Sequence, residues 1–285
     1  MIANNPLTPK YFSINCKGQL LSLDTPVIMG ILNTTPDSFF DGGKYHNIDL
    51  AIRQTEKMLK DGASIIDIGG YSSRPGADGV ELQEEMDRVI PVIEKISNTF
   101  KDAILSIDTF RAKVAMEAVN AGASIVNDIS AGDDDPNMIE TVASLGVPYI
   151  AMHKQGHSKT MQINPKYSNV ITEILDYFIN KIQLYRKAGI KDVIIDPGFG
   201  FGKNLEHNYS LLKNLSAFNM LDCPILAGLS RKRMINEVLN ISSKEALNGT
   251  TVANTIALLN GANILRVHDV KEAVEAVKIV MNFEL

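Results

Sequence analysis

The 285-residue sequence has little that would hold a polyanion. Acids outnumber bases, 33 to 28, for a net charge of -5. That balance argues against a nucleic-acid or anionic-membrane surface, so any phosphate site must be a local arrangement of a few cations and backbone N–H groups. Only two cysteines occur, Cys16 and Cys223, in no metal-type spacing. Both read as structural, in a reduced cytoplasmic compartment. The opening MIANNPLTPKYF has no basic region followed by an apolar run, so no signal peptide is expected. No stretch approaches ~18 continuous apolar residues, so no membrane span is expected. Nor does a GxGxxG follow the first apolar run, which weakens the case for an open doubly wound sheet.

What is present is 45% hydrophobic residues, enough for a large core, in eight short runs rich in Val and Ile. They are PVIMGIL (from Pro26), SIIDIGG (Ser64), AILSIDT (Ala103), SIVNDIS (Ser124), VPYIAMH (Val147), DVIIDPG (Asp192), CPILAGLS (Cys223) and ANILRVHD (Ala262). Each is too short for a helix and lacks strict alternation, the pattern of strands buried on both faces of a parallel sheet. Helical stretches lie between them. DLAIRQTEKMLKDGA places Ile52, Met58 and Leu59 near one face and stops at Gly62; LQEEMDRVIPVIEKIS, FRAKVAMEAVNAGA, NVITEILDYFINKIQLYRKAGI, LNGTTVANTIALLNGA and DVKEAVEAVKIVMNF follow. DGA, NAGA, KAGI and NGAN recur just before a strand as a repeated helix-to-strand joint. Eight such units in a chain of this size predict an α/β fold, a (β/α)8 TIM barrel, as one domain over 1–285. KYFSINCKGQLLSL predicts a β-hairpin over about 10–24, turning at Lys17-Gly18 and capping the barrel bottom.

In such barrels chemistry sits at the C-terminal strand ends. The runs end at or carry Asn33, Asp67, Asp108, Asn127, Asp128, His153, Asp196, Ser230–Arg231–Lys232, and Arg266 with His268. A carboxylate inside an apolar run costs several kcal/mol unless paired. For Asp67 and Asp128 a structural network of caps and ion pairs competes with a site role. Asp108, Asn127, Asp196, Lys232 and Arg266 together point to a site. Carboxylates and amides converging on a barrel mouth suit a flat heterocycle with amino, ring N–H and carbonyl groups. Arg266 suits stacking on such a ring or meeting an anion, and Arg74 in SSRPG joins a cation to turn residues that suit a phosphate. His153 and His157 lie close in sequence, but with few carboxylates nearby zinc is not expected.

From about Val27 onward, the chain resembles the dihydropteroate synthases. The motifs are GILNTTPDSFFDGG, GGYSSRPGA, SIDTFR, VNDIS, MHKQG…TMQ, DPGFGFGK, GLSRK and RVHD, specific in this order rather than singly. The resemblance implies a barrel that forms homodimers. It implies a transferase of folate biosynthesis, the target of sulfonamides, which joins 4-aminobenzoate to (7,8-dihydropterin-6-yl)methyl diphosphate and releases diphosphate. By it, Asp108, Asn127, Asp196 and Lys232 contact the pterin, Arg266 lies against the ring and reaches the diphosphate, and His268 is also on the diphosphate. Asn33 binds diphosphate with Mg²⁺, consistent with the oxygen preference of that ion. Ser73 and Arg74 sit in a second mobile loop, and Phe201 and Ser230 border the aminobenzoate site. Asn33, Asp108, Asp196, Lys232 and Arg266 are the expected catalytic set. The loop departs from the family's Gly-Glu-Ser-Thr-Arg-Pro: Tyr71 replaces an acid and Ser73 a threonine, which keeps the hydroxyl and loses a methyl. Two other functions are conceivable on this barrel, a methyltetrahydrofolate–corrinoid methyltransferase and an inactive pterin-binding protein. The first would not need SRK or the long TPDSFFDGG loop, and the second would be expected to lose Asn33, Arg74 or Lys232.

Overall fold

The computed structural model describes residues 12–34, 44–71, 80–156 and 165–283, without the side chains of 44–47. The described chain opens with an antiparallel hairpin of β1 (Ser13–Cys16) and β2 (Gln19–Ser22). It turns at Lys17 and Gly18, whose φ angles are 53° and 97°. A two-residue hairpin turn with left-handed backbone at both positions matches the twist of its strands.

Eight βα units follow. They are β3 (Val27–Asn33), α1 (Lys44–Asp61), β4 (Ile65–Gly69), α2 (Leu82–Thr99), β5 (Ile104–Asp108), α3 (Ala112–Ala121), β6 (Ile125–Asp128), α4 (Met138–Leu145), β7 (Tyr149–Met152), α5 (Val170–Ala188), β8 (Val193–Asp196), α6 (Leu205–Lys213), β9 (Leu226–Ala227), α7 (Arg233–Leu239) and α8 (Leu247–Leu259), β10 (Ile264–Val267) and α9 (Val270–Phe283). The strands are parallel in the order β8-β7-β6-β5-β4-β3-β10-β9. A bridge between Ile195 and Ile225 brings β8 and β9 together, so the sheet is a nearly closed barrel. The ladder of β9 covers only two residues of the run expected from Cys223; Pro224 has no N–H to give it. Helices α4, α6 and α7 escape the sequence reading because two turns are too few to display a period. All four expected joints hold: Gly62, Gly122, Gly189 and Gly261 take φ between 92° and 127°, a conformation that costs glycine nothing.

Strand alternation divides the interior into layers. The bottom layer is apolar: Met29, Ile65, Ile104, Ile125, Ile150, Ile194, Leu226 and Ile264 pack with Ile14, Cys16 and Leu23 of the hairpin, which closes the base. Two residues further along each strand the side chains change character. Asp67, Ser106, Asn127, Asp196 and Arg266 stand there beside Ile31 and Met152. Another step outward brings Asn33, Asp108 and His268. The opposite strand faces, among them Ile66, Ile68, Leu105, Ile107, Val126 and Ile195, join the helices in a separate apolar shell.

Candidate active site

The polar middle layer is joined across the barrel. Arg266 on β10 donates from Nε to Asp67 Oδ2 on β4 at 2.7 Å and from a terminal nitrogen to Asp108 Oδ2 on β5 at 2.6 Å. Asn127 on β6 donates from Nδ2 to the same Asp67 oxygen at 3.0 Å. One guanidinium between two carboxylates leaves an acid in excess. Burial pushes the Asp108 carboxyl up to about 7; Arg266 opposes that rise, while Asp67 adds to it. Burial works against the Arg266 charge, but Asp67 and Asp108 outweigh it and hold the proton on.

The β8 strand ends at Asp196, and the loop after it folds back over the end of β7. Asp196 Oδ1 accepts the Gly198 N–H at 2.8 Å. A Cβ on Gly198 would lie 1.9 Å from the His153 carbonyl oxygen, and one on Gly202 would lie 2.4 Å from that of Gln155. Only glycine lets this loop lie so close. The fold brings Phe201 under the Lys232 ammonium, 4.2 Å from its ring centre. Burial raises the Asp196 carboxyl against the pull of the Gly198 N–H and Lys232. Burial lowers Lys232 to about 8, with Asp196 acting in the opposite direction.

Two features lie outside the sequence reading of the site, the first of them under this loop. Lys203 is almost fully buried, with Nζ 3.1 Å from His153 Nδ1 and 3.1 Å from the Phe201 carbonyl oxygen. Burial brings Lys203 to about 7 and His153 to about 2, Lys203 adding to the fall of His153. His153 thus turns to Lys203 and packs edge-on against Tyr177. The second is Glu85, buried on α2, which accepts from Thr109 Oγ1 at 2.7 Å and from Arg111 at 2.5 Å and so anchors the segment after Asp108. Its place on the same helical stripe as Val89, Val92 and Ile96 was the available signal.

The remaining expected residues fall as follows. Ser230 Oγ and His268 Nδ1 are 2.9 Å apart, and the His268 N–H also donates to Ser230 Oγ at 3.2 Å. Between Ser230 and Lys232, Arg231 takes a left-handed φ of 56°, and its guanidinium makes two bonds to Asp269, at 2.7 and 3.0 Å. Asn33 is half-buried at the tip of β3. Tyr71 packs edge-on against Phe110. Ser73 and Arg74 lie outside the described residues, as do 35–43 of the first loop and His157. Asp128 proves structural: its carboxylate accepts from the Ser130 N–H and hydroxyl, the Gly132 N–H and the Tyr149 hydroxyl. Asp67, by contrast, stands inside the barrel as the acceptor for Arg266 and Asn127.

Comparison with known proteins gives this arrangement a context. The family of pterin binding enzymes matches residues 29–268. The dihydropteroate synthase of Escherichia coli K12 is 47% identical over 266 residues, 93% of this chain and 94% of the relative. The chain belongs to the dihydropteroate synthase family. Its fold overlays that of the Yersinia pestis dihydropteroate synthase solved with a sulfonamide drug complex, with a TM-score of 0.90 at 45% identity, over 96% of this chain and 99% of that one. The Xanthomonas albilineans dihydropteroate synthase, solved with 4-aminobenzoic acid, gives a TM-score of 0.90 at 39% identity over the same shares. The polar middle layer, Lys232 and the β8 loop all lie within the matched residues.

Proposed function

We propose that this transferase of folate synthesis condenses (7,8-dihydropterin-6-yl)methyl diphosphate with 4-aminobenzoate, giving 7,8-dihydropteroate and diphosphate. One observation carries the reading. Asp108 Oδ1, Asn127 Oδ1 and Asp196 Oδ2 make no hydrogen bond to any described residue, while the partner atom of each is held. Three open acceptors at the ends of β5, β6 and β8, with the Lys232 ammonium beside Asp196, match an amino-pyrimidinone ring that offers several N–H donors and one carbonyl. Calorimetric titration with the pterin diphosphate tests this: saturable binding is expected, and its absence would overturn the reading.

In the proposed reaction the C–O bond to diphosphate breaks first and the pterin ring spreads the positive charge. Asp108 and Asp196 stabilise that cation, being fixed before it forms. Arg266 and His268 face the departing negative charge, and Arg74 assists. The neutral aniline nitrogen then attacks, bordered by Phe201, Ser230 and Ser73; no general base is assigned. Asn33 has a hard amide oxygen that bonds to no other described residue, and this suits Mg²⁺ arriving on diphosphate oxygens rather than in an all-protein cage. When bound, that ion would supply Lewis-acid stabilisation of the leaving group.

The pH dependence has a definite shape. Asp108 must be charged to accept and to stabilise, and its pKa of about 7 makes activity fall as pH drops through that value. Lys232 must keep its proton, and its pKa of about 8 makes activity fall as pH rises past that value. A bell-shaped kcat/KM for the pterin with a narrow top between the two is expected. A plateau extending to pH 5 would remove Asp108 from this role.

Binding is proposed to be ordered. The loops Thr34–Gly43 and Tyr71–Gly79 are rich in Gly, Pro, Ser and Asp, and fixing backbone of that kind costs about 1–2 kcal/mol per residue. A small aromatic acid has too few atoms to offset this. Diphosphate gathers Asn33, Arg74 and Arg266 on its charges. 4-Aminobenzoate should therefore bind poorly to the free protein and tightly with Mg²⁺ and diphosphate present. Equal affinity in the two titrations would contradict ordered binding.

A cytoplasmic location belongs to the same proposal, and two buried free cysteines suit it. So does a homodimer: Val252, Ile256 and Leu259 form an exposed stripe on α8, beside exposed Val238 and Leu239 of α7. No helix among the described residues is long and apolar enough to cross a membrane.

A further inference from the structure

The middle layer contains a carboxylate with no direct part in the proposed chemistry. Asp67 is fully buried on β4. Its Oδ2 receives both Arg266 Nε and Asn127 Nδ2, and its Oδ1 has no partner among the described residues. A buried carboxylate is costly unless what it holds repays the desolvation. What Asp67 holds is two groups that face the ligand. Arg266 has donors and no acceptor, so the oxygen it meets presents lone pairs. The Asn127 amide must then turn its NH₂ group, not its oxygen, toward Asp67. This fixes the orientation of an amide that could otherwise flip. The edge of Asn127 that remains carries its second N–H nearer Asp67 and its oxygen farther away.

We propose that Asp67 is a positioning residue that sets the order of donor and acceptor on Asn127, so that the pocket reads a ring edge bearing a lone-pair nitrogen next to an N–H. The inference rests on the pterin reading above. A 7,8-dihydropterin has this pair at N1 and N8–H. The fully oxidised pterin has lone pairs at both nitrogens, and its N8 would face the Asn127 oxygen without a proton between them. Asp67 therefore contributes to selection of the reduced ring without touching it. It also keeps Arg266 between Asp67 and Asp108, where the guanidinium bonds Asp108 through Oδ2 rather than Oδ1.

The test compares 7,8-dihydropterin and oxidised pterin by calorimetry on the wild-type chain, Asp67→Leu and Asp67→Asn. Wild type is expected to prefer the reduced ring. Asp67→Leu removes both anchors and should weaken dihydropterin binding about tenfold or more, because the freed amide and guanidinium lose their fixed pose. The reduced-to-oxidised preference should shrink with it. The KM for 4-aminobenzoate should rise as well, because Arg266, anchored by Asp67, helps gather the diphosphate on which that binding depends, so the reduced-to-oxidised ratio is the deciding readout. Asp67→Asn keeps one oxygen where Oδ2 stood and should restore most of the affinity and the preference. Should Asp67→Leu not fold, the wild-type preference and the Asp67→Asn result still decide. No preference in wild type would overturn the proposal, and so would an unchanged preference in a folded Asp67→Leu or equal losses in the two variants. Failure of wild type to bind either ring would instead overturn the proposed function.

Discussion

Asp196→Ala is expected to abolish detectable pterin binding. Asp196 ends β8 in the middle layer, buried, with one oxygen held by the Gly198 N–H and the other open toward the site. Alanine would leave up to two ligand N–H donors, one for each lone pair of the open Oδ2, without an acceptor in a buried site, at about 1–3 kcal/mol each. It would also remove the negative charge that faces Lys232 and Lys203, both already destabilised by burial. Two lost bonds of that size correspond to an affinity loss of roughly thirtyfold to more than ten-thousandfold. Calorimetry checks this directly. A folded variant that binds a pterin within about threefold of wild type would mean that the ring lies elsewhere.

Lys232→Ala should lower turnover by about two to three orders of magnitude, the scale seen when one fixed charge-stabilising group is removed from a site. Lys232 is the residue that leads into α7, half-buried, with its ammonium over Phe201 and Asp196 as its main favourable charge. It contributes nothing to either apolar cluster, so the variant should fold and melt close to wild type. Steady-state kinetics beside a thermal melt separate the two outcomes. An unchanged rate, or loss of folding, would contradict the assignment. Phe201 should become more solvent-exposed in this variant, since the lysine stem no longer covers its ring.

Much of this site could be read in the sequence because strand register is unforgiving. Residues two apart on a strand face the same way. Once Ile65, Ile104, Ile125, Ile194 and Ile264 are taken as a bottom layer, Asp67, Ser106, Asn127, Asp196 and Arg266 must follow them into the interior. The sequence reading reached Asp108, Asn127, Asp196 and Arg266 by another route, as polar residues at strand ends. It gave Asp67 a structural alternative because nothing in SIIDIGG reveals a partner 199 positions away. Lys203 was overlooked for a similar reason: in DPGFGFGK it reads as an ordinary loop lysine, and only tertiary packing places it against His153, 50 residues earlier. Asp128 resembles its neighbours in sequence, yet two N–H groups and two hydroxyls enclose it. Its competitor for the carboxylate was the local turn, which the sequence does not weigh against a ligand. The short helices α4, α6 and α7 show the other limit, since an amphipathic period needs more than about two turns to declare itself.

The central claim is that strand-end acceptors, Lys232 and a diphosphate-binding rim together join a pterin to an aniline. The most direct measurement mixes the purified protein with (7,8-dihydropterin-6-yl)methyl diphosphate, Mg²⁺ and 4-aminobenzoate, and follows dihydropteroate and diphosphate together. Equimolar formation of both, dependent on all three components, is the expected result. Diphosphate without dihydropteroate, or neither product from a protein that binds the pterin, would contradict it.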